Sequence, residues 1–420
     1  MNETIDTKRE PRVTRGSWMA LIGMLVLTMG TSTLTPLLPL YQEHFDLSTG
    51  TATLLFVTYT VTVCPTMLIA GNLSDRLGRK RLMLPAMAVM TLASLVFALA
   101  ESVPMLFAGR VLQGLAIGGF LGVGAAFVVD HARSQHKALA AALAGVFFRV
   151  GFGLGPGLAG LAAQYGPAPR HTPFWGHIVL MLIGILAVST AAETLLRREA
   201  PGPFRIRIGV PAGQARGFLT FVAPATFLMS FIEGTALSVV PIFVFDTLGE
   251  RNLAIIGAIG FLVLTLGAAA PFIARGLDPR RSIMFGVSAS SLLSFLIALS
   301  SQFDAVILVV LAVAVIGVTN GFILYGGTVI CGTIVPLEER GKLMSVLYMC
   351  AYAGTVPTVA LGYMGDAIGL TATLVIFSCV AVGIAAFVLA VGSRLFREVV
   401  PYDAPPPAPA GAGSPGAATA

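Results

Sequence analysis

Residues 71–82 read Gly71-Asn72-Leu73-Ser74-Asp75-Arg76-Leu77-Gly78-Arg79-Lys80-Arg81-Leu82, a short turn with four basic residues and one acid. The chain is apolar on either side of it, over 51–73 and 82–100. A bilayer core about 30 Å thick takes about 20 apolar residues per helix, and only helices or closed barrels satisfy the backbone inside it. Two such runs joined by a basic turn form a helical hairpin across a membrane. Working outward, the same pattern places spans at 17–41, 51–73, 82–100, 104–129, 138–164, 174–195, 218–245, 253–274, 282–300, 305–330, 341–364 and 371–392. They are too long and too continuously apolar to be barrel strands. Composition agrees: 56% of the 420 residues are hydrophobic and 11% are charged, against roughly 25% charged in a soluble domain. The expected fold is an all-α membrane protein with twelve transmembrane helices in two six-helix bundles.

The net charge of +6 does not read as a nucleic-acid surface, because that needs basic residues gathered on one face. With the N-terminus inside, 22 of the 26 Lys and Arg fall in cytoplasmic segments, and the external loops hold only Arg170 and Arg251. This positive-inside asymmetry places both termini in the cytoplasm. Arg110 and Arg149 lie within spans, where a charge is costly and faces a cavity or a partner. The run opening at Trp18 lacks a clear cleavage site and is read as a retained span. Trp18 and Trp175 each open a span, as interfacial rings do.

Residues 196–217 are the longest internal polar stretch and divide six spans from six. The domains are therefore a cytoplasmic segment 1–16, a bundle 17–195, a linker 196–217, a bundle 218–392 and a cytoplasmic disordered tail 393–420, whose last twenty residues are rich in Pro, Gly and Ala. Span starts recur at offsets of about 200–203. Pro39 maps to Pro241, and Asp75 to Asp278. Six helices per half give a parallel repeat, with a substrate site expected near the midplane between halves.

The 71–82 turn resembles the signature loop of the major facilitator superfamily, Gly-x-Leu-x-Asp-Arg-x-Gly-Arg-Lys, carried here by Gly71, Asp75, Arg76, Gly78, Arg79 and Lys80. In that family the loop's Asp contacts the start of helix 11 and stabilises the outward-facing state, so the resemblance assigns that role to Asp75. Arg110-x-x-Gln113-Gly114 resembles the family's second motif. For Arg110, structural pairing and proton or substrate handling both stand. Asp130 closes the same span as a partner for Arg76, Arg79 or Arg133. The segment Gly151-x-x-x-Gly155-Pro156-x-x-x-Gly160 resembles the motif of the twelve-helix drug/proton antiporter branch, although the glycine often found nine residues before Gly151 is Ala142. Small residues admit close helix approach and proline bends the helix. Thr35 to Pro39 resembles the exporters' proline pair, but the acid many of them carry in helix 1 is absent.

Gly155 to Gly160 also spells Gly-x-Gly-x-x-Gly, yet it lies deep in an apolar span with no preceding strand, and Gly341-Lys342 is followed by Leu343. Neither a dinucleotide site nor a Walker loop is read here. The four cysteines and five histidines show no metal spacing, and no catalytic constellation is visible. The expectation is a secondary transporter with no cofactor and no metal. Its partners are a small-molecule substrate, protons and membrane lipids, and it is monomeric in a multi-pass bacterial inner membrane. The function expected is proton-coupled efflux of small amphipathic molecules, with a nutrient or metabolite importer and a non-transporting sensor or assembly factor as alternatives. Glu233, the only acid well inside a span, and Arg110 are the candidates for proton coupling. Arg149, Gln113, Asn320 and Tyr325 are the candidates for the substrate cavity.

Overall fold

The structure, a computed structural model, describes residues 13–194, 208–274 and 276–399. Among them there is no strand, and twelve helices are long and apolar enough to cross a membrane. These are α1 (Arg15–Phe45), α2 (Thr49–Leu77), α3 (Arg79–Ala98), α4 (Val103–Asp130), α5 (Ser134–Tyr165) and α6 (Thr172–Thr190). The second set is α7 (Gly213–Thr247), α8 (Leu253–Ile273), α9 (Pro279–Gln302), α10 (Val306–Thr333), α11 (Glu339–Ile368) and α12 (Leu370–Phe396). Helices α1–α6 pack mainly among themselves, as do α7–α12; the two sets meet where α2 lies on α11 and α5 on α8.

The end carrying the 71–82 turn is here called the basic end, and the opposite one the far end. Buried apolar residues of the second set form one core with far-end residues of the first, among them Leu34, Leu55 and Phe174. The first set's basic-end half keeps a separate core around Leu21, Met87 and Phe127. Apolar burial is thus continuous across the molecule at the far end.

Most element ends differ from the sequence reading by a few residues, and three of the differences affect packing or domain bounds. Helix α6 stops at Thr190 instead of continuing to 195. Beyond it the Glu193 carboxylate accepts from Arg79 N and Lys80 N, both at 3.1 Å, and caps α3. The carboxylate suits the positive end of the α3 dipole. Gly78, at φ +106°, makes the approach possible: a Cβ there would lie 2.6 Å from Glu193 Oε2. Helix α7 begins at Gly213, so the end of the expected linker is helical. The expected tail does not begin at 393, because helix continues over Ser393–Val399. There Phe396 is buried with its ring 5.1 Å from Phe221, and Arg280 Nη2 donates to Ser393 O at 2.8 Å. The expected segments at 1–12, 196–207 and 400–420 lie outside the described residues. The four cysteines are free, and Trp18 and Trp175 are both exposed.

Candidate substrate and coupling site

A small cavity of about 110 Å³ lies between the two sets of helices. Helix α5 contributes Phe148, Arg149 and Phe152; α7 contributes Met229, Ser230, Glu233 and Leu237; α11 contributes Tyr348, Tyr352 and Thr355; and α2 contributes Phe56 and Tyr59. These are residues three to four apart on each helix, hence one face of each. Rings dominate, with Tyr59 and Tyr352 meeting edge to face across the seam at 6.5 Å. Beside them Thr60 and Thr355 hydroxyls are 3.3 Å apart.

Within this wall Arg149 Nη2 donates to Glu233 Oε1 at 2.8 Å, and both side chains are largely buried, at 12% and 14% exposure. Arg149 Nε donates to Leu264 O at 3.3 Å. That carbonyl lies beside a 3-10 turn, Leu266–Ala269, where the i to i+4 ladder of α8 is interrupted. At Gly267 a Cβ would lie 2.6 Å from Arg149 Nη2. One side chain from the first set is therefore held by two groups of the second.

Arg110 and Gln113 are not in this wall. The first α-helical segment of α1 ends at Ser32, ahead of Pro36, and a helix end leaves its last four carbonyls without intrahelical partners. Thr33 Oγ1 donates to Met29 O at 2.9 Å, Gln113 Nε2 to Gly30 O at 2.8 Å and Arg110 Nη1 to Thr31 O at 2.8 Å. Arg110 is fully buried and, among the described residues, reaches no carboxylate. Its charge faces the negative end of that helix segment, Leu55 O at 3.1 Å, and the rings of Phe56 and Tyr59 at 5.2 and 5.0 Å. Tyr59 stands between Arg110 and the cavity, so the two expected coupling residues are not brought together. Asn320 also lies off the cavity, buried with Nδ2 donating to Met229 O at 3.3 Å. Tyr325 packs beside Ala270, Ala274 and Phe322. Of the four residues expected to line the cavity, Arg149 alone does so.

The glycines of α5 divide into two faces. Gly151 and Gly155 abut the α1 backbone at Leu25 and Met29, while Gly153, Gly157 and Gly160 abut Thr265, Phe261 and Gly257 of α8. Pro156 packs on Gly260. One face is fixed within the first set, and the other forms the seam between sets.

At the basic end Arg79 Nη1 binds Asp75 Oδ1 at 2.7 Å and Arg79 Nε binds Asp130 Oδ2 at 3.3 Å. Lys80 Nζ donates to Ser189 O and Ala191 O. Nothing lies within 4 Å of a Cβ built at Gly71, and Arg76 is not without a partner. Asp75 is 67% exposed, and among the described residues no hydrogen bond or ion pair joins it to the start of α11. Asp75 instead pairs with Arg79 of its own bundle. The polar contacts that cross between sets from Glu43, Thr49, Gly50, Thr60, Arg149 and Gln164 lie at the level of Arg149 or nearer the far end. Apolar burial and these contacts close the cavity at the far end.

Twelve apolar helices enclosing a cavity walled from two bundles define a polytopic membrane protein. Residues 20–359 match the family model described as Major Facilitator Superfamily, and the chain belongs to that family. That family is one of membrane transporters. Similar relatives include the Bacillibactin exporter of Bacillus subtilis (strain 168), 33% identical over 28% of this chain and 31% of that protein. Multidrug resistance protein 2 of the same organism is 24% identical over 43% of this chain and 44% of that protein. An MFS-type transporter of Aspergillus terreus is 31% identical over 47% of this chain and 31% of its own length. The chain thus spans about a third to under a half of these relatives. In fold it resembles a crystal structure of the peptide transporter POT, with TM-score 0.77, 14% identity and coverage of 91% and 95% of the two chains.

Proposed function

We propose that this transporter is a proton-coupled exporter of small amphipathic organic molecules, working by alternating access as bundles 17–195 and 218–392 rock about the cavity. The observation that carries the reading is the Arg149–Glu233 bridge, a single ion pair that crosses the seam inside an aromatic cavity. A proton arriving on Glu233 removes the carboxylate charge and leaves Arg149 held by Leu264 O alone. The seam then loosens at cavity level, and Arg149 is free for an anionic group of the substrate. A substrate cation on Glu233 would displace Arg149 in the same way. Proton and substrate therefore compete for one pair, which is what antiport requires. The remaining wall, of Phe, Tyr and Met, takes many apolar shapes.

The names of the relatives, an exporter and a multidrug resistance protein, support the direction. By the positive-inside rule the basic end and both termini are read as cytoplasmic, and with the far end closed this conformation is read as open inward, where an exporter loads. The protein functions as a monomer in a bacterial inner membrane. One proton moving down about 100 mV releases about 2.3 kcal/mol, enough for roughly a 50-fold gradient per charge.

The test is transport in proteoliposomes with and without an imposed pH gradient, across hydrophobic cations, anions and metabolites. Glu233→Gln should abolish pH-driven accumulation while substrate exchange across the membrane continues. Accumulation by Glu233→Gln at the unmodified rate overturns the coupling role. Accumulation of a polar metabolite into the cytoplasmic compartment would establish the importer instead.

A further inference from the structure

The far end is fastened by two contacts of the same kind. Asp366, in the last turn of α11, accepts from Thr49 N at 2.7 Å and Gly50 N at 2.9 Å through its two carboxylate oxygens. These are the first amides of α2, in the other bundle. Gln164, in the last turn of α5, accepts from Leu253 N at 2.8 Å, the first amide of α8. The first amides of a helix have no intrahelical acceptor, and each of these two helix starts takes one from across the seam.

The two contacts are copies of one another. Gln164 and Asp366 lie 202 positions apart, and Leu253 lies 204 beyond Thr49. One turn before each capping side chain stands a glycine, Gly160 or Gly362, again 202 apart. Each lets the helices touch at the matching place: a Cβ on Gly160 would meet Leu253 O and Gly257 Cα, and one on Gly362 would meet Thr49 O and Gly50 Cα. Two helix crossings related by the internal repeat thus carry a close-approach glycine followed four residues later by an acceptor for the opposing N-terminus.

We infer that Asp366 and Gln164 are paired latches that hold the far end shut, and that both caps break when the transporter opens there. Each helix start also has a cap from its own bundle. Ser48 Oγ accepts from Thr51 N at 3.1 Å, and Asn252 Oδ1 accepts from Ala254 N at 2.9 Å. Those caps persist through the movement. Loss of a cross-seam acceptor therefore favours the open far end, while loss of a local cap weakens the helix in both conformations.

Thr53 is fully buried at the α2–α11 crossing, so a cysteine there reports opening. In a variant lacking the four native cysteines, Thr53→Cys is labelled with a membrane-impermeant maleimide, in right-side-out and in inverted vesicles. Asp366→Ala and Gln164→Ala should each raise the labelling rate from the far-end side about fivefold, the population effect of one helix cap. Together they should raise it about 25-fold. Asn252→Ala should leave it unchanged, and Asp366→Asn, which keeps one acceptor oxygen, should fall between. Unchanged labelling in both latch variants overturns the inference, as does an equal rise in Asn252→Ala. The side from which labelling occurs tests orientation separately, so an error in the proposed direction of transport would not imitate failure of the latches.

Discussion

Arg110 is a fully buried guanidinium with no carboxylate partner among the described residues. Three directed donations, to Thr31 O, Leu55 O and Gln113 Oε1, together with a helix end and two rings, offset its desolvation. A lysine carries the same charge on a single nitrogen and cannot span acceptors arranged for a planar fork. Arg110→Lys is therefore expected to destabilise the protein by roughly 2 kcal/mol or more, since hydrogen bonds to charged groups contribute about 1.5–3 kcal/mol each. A lowered thermal midpoint in detergent checks this, and an unchanged midpoint would show that the fork geometry is dispensable. Arg149 and Glu233 stand out in the sequence because charge inside an apolar span is rare, whereas Tyr59, Tyr348 and Tyr352 do not. An aromatic ring in a membrane helix serves equally against lipid, core or cavity. Only the face shared with Arg149 and Glu233 separates them, by spacings such as 348, 352 and 355. Gln113 and Asn320 were misplaced for a related reason: polarity marked them as cavity residues, but their amides serve backbone carbonyls.

At the scale of the element, α5 is built from small residues on two sides at once. The packing purpose of Gly151, Gly155, Pro156 and Gly160 was readable, because glycine at these spacings makes a smooth helix face. Which glycine faces which neighbour was not, since it depends on the rotation of α5 between α1 and α8. Gly160→Ala drives a methyl into the backbone of Leu253 and Gly257, which cannot move aside as a flexible side chain would. Overpacking of this kind costs about 1–3 kcal/mol. The expected outcome is a lowered melting temperature in the far-closed conformation. Gly145→Ala on the same helix, where a Cβ meets nothing within 4 Å, should instead be neutral or stabilising by up to about 1 kcal/mol. Equal melting of the two variants would remove the seam from the explanation. The Pro36 break in α1 belongs to this scale as well. Proline is easily noticed in a sequence, but the carbonyls it leaves to Arg110 and Gln113 depend on tertiary packing.

For the whole molecule, twelve spans and a basic turn sufficed to state the fold, because a bilayer permits so few backbone solutions. Orientation rests on charge alone and is testable directly. In a variant without native cysteines, Gly213→Cys should label only from the cytoplasm and Ala168→Cys only from outside. Reversed labelling would invert the proposed topology and with it the side on which the cavity loads. The conformation itself could not be read from the sequence. The signature loop implies a contact that forms when the basic end is shut, and Asp75 here bonds to Arg79 while the far end is fastened.

The position of the two tryptophans has a spectroscopic consequence. Trp18 and Trp175 are both exposed residues of the first bundle, and neither lines the cavity, whose rings are Phe and Tyr. Intrinsic emission excited at the indole band therefore reports the protein's outer surface, where it responds to lipid or detergent. Occupancy of the binding chamber registers only in phenolic absorbance, or through an indole introduced at a wall position such as Phe152.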